Sequence, residues 1–298
     1  MTSLLPRAVG FVGLGDIGRP MALRLAAGLR ERSVPLWVYD VRAEPLAELE
    51  RCGTHVAGGL EELATQADLV CVMVRDDDQV REVVGDLVRA PRPEGVPPLT
   101  VAIHSTVGPG TPAELADLAS RHGVRLADAP VSGGAIGAAD GTLAILVGGE
   151  PEAFAACEQV LALVGSKVVH AGAIGSGTRM KLARNLLHFV SFTAATEAQR
   201  LAEAAGLDLV TLGEVVRHTD SVSGGPGAIM HRTTTTAPAE DDFWHGVLSH
   251  VVALGEKDLR LAIGLAEELA VDVPLARHAL THLAPGLGVP HAPTEERP

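Results

Sequence analysis

Several groups of residues in this 298-residue chain have the types and spacing to do chemistry. The first is Gly13-Leu14-Gly15-Asp16-Ile17-Gly18, followed about 20 residues later by Asp40. Gly13 permits a tight turn, Gly15 lets a pyrophosphate approach the backbone, and Gly18 lets a helix pack closely on a strand. A helix starting there presents unpaired N–H groups and the positive end of its dipole to phosphates. Asp40 is placed to accept a hydrogen bond from an adenosine ribose. A second group is Asp128-Ala129-Pro130-Val131-Ser132-Gly133-Gly134, where bare N–H groups and a hydroxyl make either a concave carboxylate site or a plain flexible turn. A third is Lys181 with Asn185, one helical turn apart behind Gly175-Ser176-Gly177. The surrounding Met180, Leu182, Ala183, Leu186 and Leu187 are apolar, so Lys181 is either buried at a cost or turned to solvent; spacing leaves both open. The hydroxyls of His104-Ser105-Thr106 either line a nicotinamide pocket or cap the next helix. Lys257-Asp258 reads by default as a surface charge pair.

These residues need elements to position them. From residue 8 to about 170, short apolar runs alternate with helical patterns. Strands are expected at Ala8–Val12, Leu36–Tyr39, Asp68–Val74, Leu99–Ile103, Val124–Asp128, Leu143–Val147 and Val168–Val169. Helices are expected at about Arg19–Leu29, Ala43–Arg51, Asp77–Leu87 and Pro112–His122, with a proline-rich loop at Pro91–Pro98. The alternation predicts a Rossmann-type α/β domain, a doubly wound parallel sheet. Beyond Gly177 the strand patterns stop. Helices are expected at Met180–Ala205, Leu209–His218, Trp244–Leu269 and Leu275–Leu283, with a frayed tail from Pro285. The chain therefore divides into a dinucleotide-binding domain, 1–172, and an all-helical substrate and dimerisation domain, 173–298. A glycine-rich hinge, Ala171–Gly177, leads into the long joining helix.

A net charge of −13 argues against nucleic acid, whose phosphates need clustered Lys and Arg, and 3% aromatics offers no base-stacking platform. No apolar run reaches the roughly 18 residues needed to span a bilayer, and the first seven residues do not read as a signal peptide. Cys52, Cys71 and Cys157 lack metal or redox spacing, which fits a reducing cytoplasm. His278 and His282 share a helical face, but no third ligand completes a metal site, and none is expected.

Taken together, the motifs carry a family resemblance over nearly the whole chain. GLGDIGRPMA, DAPVSGGAIGAADGTL, GSGTRMKLARN and KDLRLA, in that order, resemble the cofactor, substrate, catalytic and C-terminal motifs of the β-hydroxyacid dehydrogenases. That group contains 3-hydroxyisobutyrate dehydrogenase and tartronate semialdehyde reductase, and the N-terminal half is also similar to that of 6-phosphogluconate dehydrogenase. The resemblance implies hydride transfer between a nicotinamide cofactor and a small 3-hydroxy acid or its semialdehyde. Lys181 becomes the acid/base and Asn185 its partner on the reacting oxygen. Ser132, Gly133 and Gly134 hold the carboxylate, with Lys257 and His250 on the substrate side. The cofactor falls to Gly13, Leu14, Gly15, Asp16, Ile17, Gly18, Asp40, Val41, Arg42, Met73, Val74, Ser105, Thr106 and Lys257. The chain departs from the family in Arg184-Asn185, where Asn-Asn is usual, and in His250, where an aromatic is common. Asp40 favours NAD, because a carboxylate repels a 2′-phosphate, while Arg42 leaves NADP possible. Relatives are commonly dimers or tetramers, and the Ala-rich long helix suits packing between copies. Two rivals stand beside this reading. One is an imine reductase, against which Lys181 argues, since such enzymes carry Asp or Tyr there. The other is a non-catalytic dinucleotide-binding scaffold.

Overall fold

The computed structural model describes residues 5–293. The chain divides into two compact units, Met1–Arg184 and Asn185–Pro298, with the division inside one long helix.

The first unit is built on a nine-stranded sheet. In chain order its strands are β1 (Val9–Val12), β2 (Leu36–Tyr39), β3 (His55–Val56), β4 (Leu69–Val72), β5 (Thr100–Ile103), β6 (Arg125–Asp128), β7 (Val131–Ser132), β8 (Leu143–Gly148) and β9 (Gly165–Gly172). The order across the sheet is β3-β2-β1-β4-β5-β6-β8-β7, with β9 on β8. Strands β1 to β6 run parallel, and all of them but β3 are the apolar runs read in the sequence. The expected Rossmann-type, parallel-dominated sheet is what forms, with antiparallel pairing added at β8. β8 is antiparallel to both β6 and β7, and β9 is parallel to β8. Only Ala129-Pro130 separates β6 from β7, and the seven-residue helix Gly134–Asp140 lies between β7 and β8. These links are too short for a parallel crossover, which needs a dozen residues or more.

The helices are α1 (Gly18–Arg30), α2 (Ala43–Arg51), α3 (Leu60–Gln66), α4 (Asp77–Arg89), α5 (Thr111–Arg121), α6 (Gly134–Asp140) and α7 (Pro151–Leu161). Alternate strand residues feed opposite faces of the sheet. Val9, Phe11 and Cys71 pack under α1 and α7 with Met21, Leu25, Leu29, Cys157 and Val160. Val12, Val70, Val72, Val101 and Ile103 pack under α3, α4 and α5 with Leu63, Val84, Leu87 and Leu115. Each such side chain contributes about 1.5–3 kcal/mol of burial free energy. Two-residue strands and seven-residue helices leave no readable period, which is why β3, β7, α3 and α6 are not visible in the sequence pattern.

The long helix α8 (Ser176–Ala204) runs from the first unit into the second. The second unit continues with α9 (Leu209–Ser223), a 3₁₀ turn at Gly225–Gly227, α10 (Phe243–Glu268) and α11 (Pro274–Leu287). Its buried apolar clusters are small. Leu248 and Val252 pack with Ala284 and Val289, and Ile263 and Ala266 pack with Val273. The frayed tail expected from Pro285 is not what forms. α11 continues through Pro285 to Leu287, because Ala284, Leu287 and Val289 are held against α10. The part of that expectation that concerns residues 294–298 lies outside the described residues. Among the described residues no helix is long and apolar enough to cross a membrane.

Candidate active site

The predicted cofactor residues of the first unit lie at the carboxyl ends of neighbouring strands. Val12 pairs with Val72 and Val72 with Ile103, so the residues that follow emerge in one row. Backbone bonds tie that row together: Gly13 N–H to Tyr39 O (3.0 Å), Met73 N–H to Val12 O (2.8 Å), and His104 N–H to Val72 O (2.8 Å). Gly13 has φ +90°, and a Cβ there would lie 2.1 Å from Met73 O; a Cβ on Gly18 would lie 2.0 Å from Gly13 O. Gly15 differs, because a Cβ there would meet nothing within 4 Å. The turn is thus closed on its protein side and open at Gly15. At the start of α1 no side chain caps the helix and the first turn carries no acid. Arg19 N–H already donates to Gly15 O (2.9 Å) and Pro20 has no N–H, so an anion would meet the N–H groups of the turn itself and of Gly18. Leu14 is buried, Ile17 half-buried and Asp16 exposed. These features fit a dinucleotide pyrophosphate.

Asp40 accepts from Leu14 N–H (2.6 Å), Arg42 N–H (2.8 Å) and Arg42 Nε (3.1 Å). Arg42 also reaches Leu14 O at 2.9 Å, which straps the end of β2 to the glycine turn. Burial raises the Asp40 pKa, but the bonds from Arg42 and Leu14 outweigh it and hold the carboxyl below its usual range. Val41 is in solvent at 90% exposure. Met73 and Val74 are half-buried. Ser105 is buried, with its hydroxyl committed. It donates to Val74 O (2.7 Å) and accepts from Val74 N–H (2.9 Å), bracing the turn after β4 against the turn after β5. Thr106 beside it is exposed.

His104 was not among the predicted contacts, yet it is buried at the same row. Its Nδ1–H donates to Ala129 O at 2.8 Å, which leaves Nε2 as a buried acceptor with no partner among the described residues. Burial pushes its pKa down to about 4.

On the carboxylate motif, Ser132 ends β7 and is half-buried. Gly133 (φ +134°) and Gly134 (φ +63°) are exposed at the start of α6. Asp128, the first residue of that motif, is fully buried. Its carboxylate accepts from Gly175 N–H (2.7 Å) and Thr178 N–H (2.6 Å), in the turn that opens α8.

Lys181 resolves the ambiguity left by spacing. Its side chain points inward at 8% exposure, while Met180 and Leu182 on either side face solvent. Among the described residues no carboxylate pairs with it. Burial, and secondarily Arg184 one turn further on, lower the Lys181 pKa. Asn185, on the same helix, is half-buried and already engaged. In the second unit, His250 and Lys257 lie two turns apart on α10. Both are exposed, and Lys257 pairs with Asp258 at 2.9 Å. His278 and His282 stack face to face at 3.9 Å, and His282 Nδ1 bonds to the His278 carbonyl. Cys71 and Cys157 are buried, and burial raises both thiol pKa values.

Comparison with known proteins adds to this geometry. Residues 8–172 match the model described as the NAD binding domain of 6-phosphogluconate dehydrogenase. Residues 175–286 match the model described as NAD-binding of NADP-dependent 3-hydroxyisobutyrate dehydrogenase. Mitochondrial 3-hydroxyisobutyrate dehydrogenase of Mus musculus is 31% identical over 92% of this chain and 79% of its own length. A crystallised oxidoreductase from Mycobacterium avium 104 is 47% identical, with TM-score 0.88, covering 95% of this chain and 99% of that one. The Mycobacterium tuberculosis 3-hydroxyisobutyrate dehydrogenase, whose structure was obtained with L-serine, is 28% identical with TM-score 0.65 over 95% and 94%. An imine reductase from Myxococcus stipitatus, at 19% identity and TM-score 0.71, shares the fold alone.

A buried neutral histidine has a consequence for stability. The unfolded chain takes up a proton near pH 6.5, whereas folded His104 resists protonation down to about pH 4. Stability is therefore complete above pH 6.5 and lost as pH falls towards 4, by roughly 3 kcal/mol for this group. His104→Asn keeps an N–H for Ala129 O and does not titrate. Denaturant unfolding at pH 7 and pH 4 should show a smaller acid loss in H104N than in the wild type. Equal losses would show that His104 is not the titrating group.

Proposed function

Because this chain belongs to the family of β-hydroxyacid dehydrogenases that includes 3-hydroxyisobutyrate dehydrogenase, we propose that it interconverts a small 3-hydroxy acid and its semialdehyde or keto form, with Lys181 as acid and base. The observation that carries this reading is the inward, desolvated environment of Lys181: buried, without a carboxylate partner among the described residues, and beside Arg184. A buried ammonium without a counter-charge is costly, and such an arrangement is typical of a site rather than of a surface.

A nicotinamide cofactor, when bound, supplies or accepts the hydride. The protein does the rest. In reduction, the Lys181 ammonium faces the carbonyl oxygen, stabilises the charge that develops there and donates a proton to it. In oxidation, the neutral Lys181 amine accepts the hydroxyl proton. An ordinary lysine, with pKa near 10.4, is a poor base at neutral pH, so the lowering by burial and by Arg184 serves this direction. Asn185, one turn along α8, is the polar side chain assigned to the same oxygen. Ser132 and the N–H groups at Gly133 and Gly134 suit the carboxylate. Lys257 and His250 are read as substrate-side residues on the family pattern. The 3-hydroxy acid class is supported by the mouse and mycobacterial relatives, and the L-serine found with one of them is itself a 3-hydroxy acid.

Lys181→Ala is expected to lower kcat on 3-hydroxyisobutyrate or tartronate semialdehyde by about 10²–10⁴-fold, with NADH affinity within about twofold of wild type. Activity surviving in K181A, or turnover confined to cyclic imines, would sink the assignment.

For the cofactor, Asp40 supports NAD over NADP. Two like charges about 4 Å apart repel by about 4 kcal/mol at an effective dielectric of 20. Arg42 offsets part of this but is already bound to Asp40 and Leu14. The ratio of kcat/KM for NADH over NADPH should be at least about tenfold, an energy gap of about 1.4 kcal/mol. A preference for NADPH would overturn it.

The second unit supports self-association. α9 buries none of its residues, although it carries Val210, Val215, Val216 and Val222. On α8, Leu186, Phe189, Val190 and Phe192 are also exposed. An isolated 15-residue helix is marginal in water, so such a face calls for cover, and a second copy of the chain supplies it. Sedimentation should give a dimer or larger, and Phe189→Asp with Val215→Asp should shift it to monomer. A monomeric wild type at micromolar concentration would refute this.

A further inference from the structure

Asp128 has no part in the chemistry proposed above, yet it occupies the joint from which Lys181 is projected. α8 must start where the carboxyl end of β6 and the neighbouring β8 allow it. A Cβ on Gly177 would lie 2.0 Å from Leu146 O and 2.7 Å from Asp128 O, so the first turn of the helix rests directly on the strand backbones. A Cβ on Gly148 would lie 2.3 Å from Asp128 Oδ1 and 2.8 Å from Gly177 N, which closes the joint from the β8 side. Into this space the sequence places a charged group. Asp128 is fully buried, and its two oxygens take one N–H each: Oδ1 from Gly175 (2.7 Å) and Oδ2 from Thr178 (2.6 Å). Those donors flank the start of α8 at Ser176. The carboxylate fills the positive end of the helix dipole and fixes the helix along its axis and about it. Lys181 lies four residues after Gly177 and three after Thr178, on the face that looks onto the sheet. Rotation or fraying of the first turn would carry it out towards the solvent that Met180 and Leu182 already face.

We propose that Asp128 is a positioning residue for Lys181: a buried carboxylate that seats the first turn of α8 and so holds the ammonium inward over the strand ends. Its effect is transmitted through backbone N–H groups, without contact with substrate or cofactor. The inference rests on the reading of Lys181 as the acid and base, but its test does not depend on that reading alone.

The chain offers a clean probe, because Lys167, Lys181 and Lys257 are its only lysines. Titration of the ¹³C-lysine-labelled full-length protein by NMR reports Lys181 directly, with the other two as internal references. Asp128→Asn keeps the size but replaces one acceptor with a donor facing an N–H. The second variant, Thr178→Pro, keeps the carboxylate and removes one of its donors at the third helical position, whose N–H has no intrahelical partner to lose. In both, Lys181 should become more solvated and its pKa should rise towards the ordinary lysine value, with Lys167 and Lys257 unmoved. On 3-hydroxyisobutyrate with NAD, kcat should fall about 10- to 100-fold with NADH affinity within about twofold, since displacement of about 1 Å is enough for such a loss. The direction of the shift is diagnostic. Direct charge coupling would make the Lys181 pKa fall in D128N, because an attractive negative charge is removed, and that outcome overturns the positioning role. An unchanged Lys181 titration and unchanged kcat in folded variants overturn it as well. If K181A remains active while Lys181 still shifts in D128N and T178P, the catalytic reading fails and the positioning inference stands.

Discussion

A buried carboxylate meeting the start of a helix is the interaction on which this structure turns. Asp128 ends β6, and α8 begins on its two oxygens. On the proposed positioning role, the inward direction of Lys181 follows from that seating. Burial lowers its pKa, the outward positions go to Met180 and Leu182, and Arg184 stands one turn away without neutralising it. Two glycines make the approach possible, since neither Gly148 nor Gly177 has room for a methyl group. A strand end is where an α/β sheet presents its functional groups, and α8 brings a helix-borne group to that same edge.

The row of strand ends proposed to hold the cofactor is built with similar economy. Gly13, Met73 and His104 are knitted by backbone bonds to the strands beside them, and Ser105 commits its hydroxyl to Val74. The row is braced by hydrogen bonds within the protein, and preorganisation of this kind lowers the ordering cost of binding. Gly15 and the uncapped start of α1 are left open. The Asp40–Arg42 strap has opposing consequences. It ties the end of β2 to the glycine turn and, on the proposed reading of Asp40, also occupies a cation that a 2′-phosphate would need.

The two units differ in how they are stabilised. The first buries large clusters on both faces of its sheet. The second has small clusters, a helix with no buried residue and a series of exposed valines and phenylalanines. A buried acid on α10, Glu256, is satisfied by Arg260 and His291. On the proposed self-association, such a unit would draw much of its stability from the copy that covers its apolar face.

The sequence by itself determined the dinucleotide turn, the parallel strands β1, β2, β4, β5 and β6 and the helical second half. Each is written in local periodicity and in glycines whose backbone roles are set within a few residues. It also placed Lys181 and Asn185 on one helix, because a 3.6-residue period needs no long-range information. Tertiary structure alone decided the rest. Which way the α8 face turns depends on contacts between residues about fifty positions apart, Asp128 with Gly175 and Thr178. The antiparallel turn of β8 depends on short connections whose two-residue strand has no period. The burial of His104 and the commitment of Ser105 depend on neighbouring strands, through Ala129 just past β6 and Val74 just past β4. A residue's type announces what chemistry it can do, but its protonation and direction are set by groups that the chain brings near only when it folds.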